Sequence, residues 1–234
     1  PMRRLISWRV WGGLLLVGGF APAQTLNPEE PPLGLPPIPV PEDNPITKAK
    51  ADLGEQLFKE ERFSTTGEIA CSSCHEPEKA FTDGRAIAEG IKGRLGTRHT
   101  PTVVNAVYYE LQFWDGRRES LETQSLDPLV NPVEHGFSSH ESVLEVVRDD
   151  EGYVRQFREV FGVGSDGITM DHIAKAIATF ERTLVSGNSP FDRYRYGGEE
   201  DAISESAKRG LRVFRNQGRC VDCHTIEQTH ATFT

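Results

Sequence analysis

Two short blocks of the sequence bring thiols and an imidazole together at the same spacing: Cys71-Ser72-Ser73-Cys74-His75 and Cys220-Val221-Asp222-Cys223-His224. Two thiols at this spacing can add to the two vinyl groups of one haem, and the adjoining His can reach the iron as axial ligand. The same residue types also suit a zinc site, a thioredoxin-type redox pair or disulfides. A redox C-x-x-C has no need of a His after each pair. Both copies carry one, and together they use all four Cys of the chain. Two covalently bound c-type haems fit best. Cys71, Cys74, His75, Cys220, Cys223 and His224 are then the cofactor-binding residues, with His75 and His224 on iron, and disulfides are not expected. The motifs begin at positions 71 and 220, a separation that suits one haem per domain rather than a packed tandem.

The elements that must position these motifs read as mostly α, with long functional loops. Residues 47–58 carry Ala49, Leu53, Leu57 and Phe58 at helical spacing behind an N-cap Thr47. Ser138-x-x-Glu141 has the form of a capping box, which predicts one helix running from there towards Phe161 and stopped by Gly162 and Gly164. A further helix is predicted over 170–185, with Ile173, Ala174, Ile177, Phe180, Glu181 and Leu184 as its stripe. The last runs over 204–214 into the second Cys motif. Thr102-Val103-Val104 is the best short strand candidate, and strand signals are weak elsewhere.

The N-terminus reads as address rather than fold. Arg3, Arg4 and Arg9 precede a Gly-broken apolar run over 10–20, and Ala21-Pro22-Ala23 supplies small residues at a cleavage spacing. Residues 1–23 are the layout of a secretory signal peptide, and the run is short for a membrane anchor. Residues 24–45 are Pro-rich and read as an extended arm or linker, not a packed element. The charge balance, 26 Lys+Arg against 35 Asp+Glu, argues against a general nucleic-acid binder, which needs a basic face. An acidic surface suits a basic patch on a protein partner.

The ordered blocks around the motifs resemble a known family. Leu53-Gly54-Glu55-Gln56-Leu57-Phe58 and Ala80-Phe81-Thr82-Asp83-Gly84 flank the first motif. Thr97-Arg98-His99-Thr100-Pro101-Thr102, Phe113-Trp114-Asp115-Gly116-Arg117, Ser120-Leu121-Glu122-Thr123-Gln124 and Asn131-Pro132-Val133-Glu134 come next, then 176–184 and 189–194 before the second motif. Over residues 46–234 this looks like the bacterial di-haem cytochrome c peroxidase family, which includes the MauG-like enzymes. The resemblance implies two cytochrome c-like haem domains: an N-terminal one with inter-domain helices over 46–200, and the start of a C-terminal one over 201–234. It also implies that the second domain is incomplete and the sequence truncated. Relatives continue beyond the second motif and supply its sixth ligand there, whereas the only Met residues here are Met2 and Met170.

By the same resemblance the first haem is where peroxide is reduced, and the second takes electrons from a small cytochrome c or copper protein. Trp114 matches the Trp that couples the haems. Gln124 and Glu134 match the polar residues on the peroxide side. Splitting an O–O bond requires a proton moved from the near oxygen to the far one, and a carboxylate whose pKa is raised by burial can move it. A loop Glu in water and an ordinary core aromatic are the plain alternatives for Glu134 and Trp114. The chain departs from relatives in three places. Residues 88–94 hold no His where many relatives have one on the resting iron. His135 stands where relatives carry Met, which makes it a weak candidate ligand beside its plainer reading as a hydrogen-bonded residue. His99 replaces an Asn of an inter-domain calcium site, so a bound Ca²⁺ loses one of its residues. The resemblance thus implies a periplasmic enzyme reducing hydrogen peroxide to water, with a homodimer left open. The alternatives are a MauG-like enzyme oxidising residues of a partner protein and a non-enzymatic di-haem electron carrier.

Overall fold

The computed structural model describes residues 28–232, so the expected signal peptide over 1–23 lies outside the described residues. Eight α-helices are seen among them: α1 (Lys48–Phe58), α2 (Cys71–Cys74), α3 (Leu121–Val130), α4 (Glu141–Arg148), α5 (Glu151–Phe161), α6 (Met170–Glu181), α7 (Pro190–Arg195) and α8 (Glu205–Arg215). The mostly helical class is as predicted. Residues 102–104 form no strand, and pairing among the described residues is limited to isolated bridges.

α6 is the central helix. From Ile173 to Glu181 every position except Lys175 is buried, so the helix is enclosed nearly all round rather than striped. It packs against α1 and α3. The α1 contact depends on Gly54: a Cβ there would overlap the Ala176 carbonyl oxygen, so only hydrogen allows the two backbones this close. Leu53, Leu57, Phe58, Phe63, Phe157, Ile173 and Ile177 fill the space between these helices and α5.

Caps explain most helix starts. Thr47 accepts from Lys50 N, Ser120 from Thr123 N, Thr169 from His172 N and Ser204 from Ala207 N. The predicted capping box at Ser138 does not form. His140 precedes α4 with no side-chain cap bond, its Nε2 instead meeting the Leu126 carbonyl at 3.0 Å. The single helix expected up to Phe161 is two. Asp150 interrupts it, because its carboxylate accepts from Gly152 N and Tyr153 N and so starts α5. At a helix start these amides have no carbonyl one turn back, and the N-cap Asp supplies the missing partner. α6 also ends at Glu181, short of the predicted Val185.

The Pro-rich segment departs from expectation more sharply. Residues 28–45 form no helix, as their prolines dictate, yet the segment is packed. Ile38 and Asn44 are buried. Asn44 Nδ2 donates to Glu122 Oε1 at 2.8 Å and to the Lys175 carbonyl at 3.1 Å, and its Oδ1 accepts from Lys50 Nζ at 2.9 Å. Tyr108 and Arg182 donate to the carbonyls of Pro36 and Pro39. A proline-rich strap has few N–H groups to satisfy and many carbonyls to offer, so it can lie on a core whose donors would otherwise be orphaned.

Candidate functional site

The first Cys motif is set up by a single turn. Ala70 N donates to Ser73 Oγ at 3.0 Å, and His75 N closes α2 on the Cys71 carbonyl at 2.9 Å. Both thiols and the imidazole border one cavity that opens to solvent. Burial pushes the Cys74 thiol up to about 11 and the Cys71 thiol higher still, so both stay neutral. His75 Nδ1 lies 3.0 Å from the Phe81 carbonyl. A carbonyl only accepts, so Nδ1 carries the hydrogen. Burial holds the ring's pKa below its usual value, which leaves Nε2 with the lone pair.

α3 and the turn after it supply the polar wall. Gln124 and Ser125 come from α3, and Glu134 and His135 from the turn. Pro128 in the last turn of α3 removes an amide from the ladder, and its carbonyl then receives Asn131 N and His135 N. Asn131 shapes the turn from both ends of its amide. Its Oδ1 accepts from Val133 N at 2.9 Å, and its Nδ2 donates to Glu134 Oε1 at 2.6 Å. Burial raises the Glu134 pKa, against the pull of Arg117. The loop over 88–94 braces this turn: Ile91 N donates to the Val133 carbonyl at 3.0 Å. Gly90 sits so close that a Cβ would overlap the same oxygen. His135 is 3% exposed, and its Nδ1 donates to the Phe63 carbonyl at 2.9 Å. It is a hydrogen-bonded core histidine that borders the cavity.

The structure thus brings Cys71, Cys74, His75, Gln124, Glu134 and His135 to one place. Trp114 is not among them. It is 62% exposed, and its Nε1 donates to the His99 carbonyl at 2.9 Å. His99 Nδ1 in turn meets the Arg85 carbonyl at 2.7 Å. Cys220 and Cys223 lie on a short exposed turn closed by His224 N on the Cys220 carbonyl. Two residues of this site carry no role on sequence grounds. Asn131 opens the Asn131-Pro132 pair, and Asn-Pro is itself a turn signal. Glu181 reads as part of a helical stripe, where a carboxylate among Ile173, Ile177 and Phe180 is the anomaly.

Comparison with known proteins decides the family. A profile described as di-haem cytochrome c peroxidase matches residues 48–201. The chain belongs to the di-haem cytochrome c peroxidase family. It is 40% identical to the methylamine utilization protein MauG of Methylophilus methylotrophus over 213 residues, covering 90% of this chain and 62% of that protein. It is 40% identical to cytochrome c551 peroxidase of Nitrosomonas europaea over 174 residues, 74% of this chain and 51% of that one. A solved MauG-like protein associated with microbial copper homeostasis superposes with a TM-score of 0.71 at 32% identity, covering 86% of this chain and 57% of that one. The chain therefore spans between half and two thirds of the length of these relatives. Membership in the di-haem peroxidase family implies haem as cofactor and oxidoreductase chemistry. The cavity at the first motif fits such a group. Phe58, Ile69 and Ile177 give it apolar walls, and a lone-pair nitrogen stands beside two neutral thiols. At the second motif the thiols and imidazole are present on an open turn.

Proposed function

We propose that the protein is a periplasmic peroxidase that reduces hydrogen peroxide to water with electrons delivered singly by a small redox protein. The observation that carries the reading is the convergence of Gln124 and a partly buried Glu134, its pKa raised by burial, on the cavity that Cys71, Cys74 and His75 share. Bound haem supplies the iron at which peroxide is reduced and, at the second site, the relay for the donor's electrons. Cys71 and Cys74 would hold the first group and Cys220 and Cys223 the second. Each attachment would add a thiol across a vinyl double bond, sulfur going to one carbon and hydrogen to the other. His75 would ligate through Nε2, held in orientation by its Nδ1–H on the Phe81 carbonyl, and His224 would serve the second iron.

Glu134 does the proton work. Asn131 occupies Oε1, so Oε2 is the atom that takes the proton from the near peroxide oxygen and returns it to the far one. Gln124 orients the bound peroxide by hydrogen bonding. His135, already bonded to Phe63, stays a wall of the cavity rather than a ligand, and the 88–94 loop brings no imidazole. Trp114 would couple the two haems from outside this cavity. The Ca²⁺ expected from relatives has no further support here, since His99 is engaged by backbone. Periplasmic location rests on the 1–23 signal; among the described residues no helix is long and apolar enough to cross a membrane.

Glu134→Gln tests the reading. Donor-dependent peroxide turnover should fall by about two orders of magnitude, the scale of one acid/base group, while both haems stay bound. A wild-type rate would remove Glu134 from the mechanism. The MauG-like alternative draws on the 40% identity to a methylamine utilization protein. It predicts peroxide-dependent oxidation of residues in a partner protein, read by mass spectrometry, with little turnover of a small redox donor. A haem protein inert to peroxide would leave the electron-carrier alternative.

A further inference from the structure

Glu181 ends α6, one turn beyond Ile177, and both side chains border the cavity of the first motif. It is 4% exposed, and its Oε2 is buried without a hydrogen-bond partner. The cation next to it is committed elsewhere: Arg182 Nη1 and Nη2 lie 2.7 and 3.0 Å from the Glu122 carboxylate. An ionised Glu181 would therefore be a buried charge without a contact ion, an unfavourable state that carboxyl groups escape by keeping their proton.

We propose that Glu181 is a second carboxyl of the peroxide site, a proton store that feeds the cavity while Glu134 moves a proton between the two peroxide oxygens. The inference deepens the peroxidase reading and rests on it. Reduction consumes two protons and two electrons per peroxide: the O–O bond breaks, each oxygen leaves as water, and the electrons come from the small redox donor. The shift made by Glu134 returns its proton to the substrate and supplies none. Other groups on the cavity have none to give. His75 and His135 each commit their N–H to a backbone carbonyl. The thiol hydrogens of Cys71 and Cys74 leave when the thioethers form. Glu181 gives its proton to the reduced oxygen, stands briefly as carboxylate, and regains a proton from water at the cavity mouth.

The charged and titratable groups facing Glu181 are Arg182, the residue that follows it, Glu122 from α3 and Cys71 from α2. Burial outweighs them and pushes its carboxyl up to about 8, close to the working pH at which an acid both holds and releases a proton.

The test is infrared spectroscopy on the haem-loaded protein joined to kinetics. The expected result is a protonated-carboxyl stretch, shifted in D₂O, present at pH 7 and titrating away near pH 8, absent in Glu181→Gln and kept in Glu134→Gln. Glu181→Gln keeps the shape and loses the transferable proton. Its peroxide turnover should fall about tenfold or more at unchanged haem content, with KM for peroxide little altered and Glu181→Asp recovering part of the rate. Absence of the band overturns the proposal, and so does a Glu181→Gln rate equal to wild type. Should Glu181→Gln lose haem, the band and its titration in the unmutated protein decide. A wild type that shows the band but reduces no peroxide refutes the peroxidase reading, and proton delivery falls with it. A Glu181→Gln protein that turns over normally while Glu134→Gln does not refutes this inference alone.

Discussion

Asn131 makes two bonds that can be separated. Asn131→Asp keeps the acceptor that holds Val133 N and so keeps the turn, but it replaces the donor on Glu134 Oε1 with a second carboxylate oxygen. The lost bond, 2.6 Å long, is of the charge-assisted kind worth about 1.5–3 kcal/mol. It favours the ionised form of Glu134, so its loss raises that pKa. At about 1.4 kcal/mol per unit the rise is roughly one to two units, and repulsion from the new carboxylate acts in the same direction. Glu134 must be a carboxylate to accept the proton from peroxide. The acid limb of the pH profile for kcat/KM should therefore move to higher pH by about one unit or more. Asn131→Ala loses both bonds; it should shift the limb less, for want of the repulsion, and lower Tm, because Val133 N loses its partner. The assay is donor-dependent peroxide reduction by haem-loaded protein across pH 5–9. An Asn131→Asp limb superimposed on wild type, beside a Glu134→Gln protein that is inactive, would refute the claim that Asn131 sets the base.

Three further outcomes are expected from the geometry. Gly54→Ala must push α1 off α6, because its Cβ would meet the Ala176 oxygen; a loss of about 1–3 kcal/mol should appear as a lower Tm, and an unchanged Tm would mean the helices are not this close. Either Cys71→Ala or Cys74→Ala should leave one thioether to the first haem, and the double variant none; intact-mass analysis after acid extraction reads this directly. Glu181 binds its proton more tightly folded than unfolded, so its contribution is full in acid and is lost as pH rises from about 4.5 towards 8. Denaturant unfolding should weaken over that window in wild type by a few kcal/mol and much less in Glu181→Gln; parallel curves would show that Glu181 ionises freely.

Much of the architecture is legible where a local signal has no rival. The N-cap at Thr47 and the helix expected over 204–214 are seen, because a cap and a short apolar spacing are decided within a few residues. The break between α4 and α5 is not legible because two caps compete: Ser138 has the right pattern, but His140 is drawn to the Leu126 carbonyl and Asp150 offers the stronger N-terminus. The packing of the Pro-rich segment is hidden for a different reason. Its partners, Glu122, Lys175 and Arg182, are far away in the chain, and no local pattern encodes them. Glu134 stands out through resemblance to a family, and burial then gives it a physical basis. Glu181 cannot be weighed from periodicity, since a helical stripe says that a residue faces inward but not that it faces a cavity with its counter-ion already engaged.

The packed strap also fixes an order of events. Asn44 precedes its partners in the chain: its amide bonds to Glu122 and Lys175, 78 and 131 positions downstream. A chain that crosses a membrane N-terminus first must hold residues 28–45 without their partners until α3 and α6 have emerged. In such an exported chain a segment that arrives early would be among the last to settle, and its closure would report that the middle of the protein has been delivered and folded.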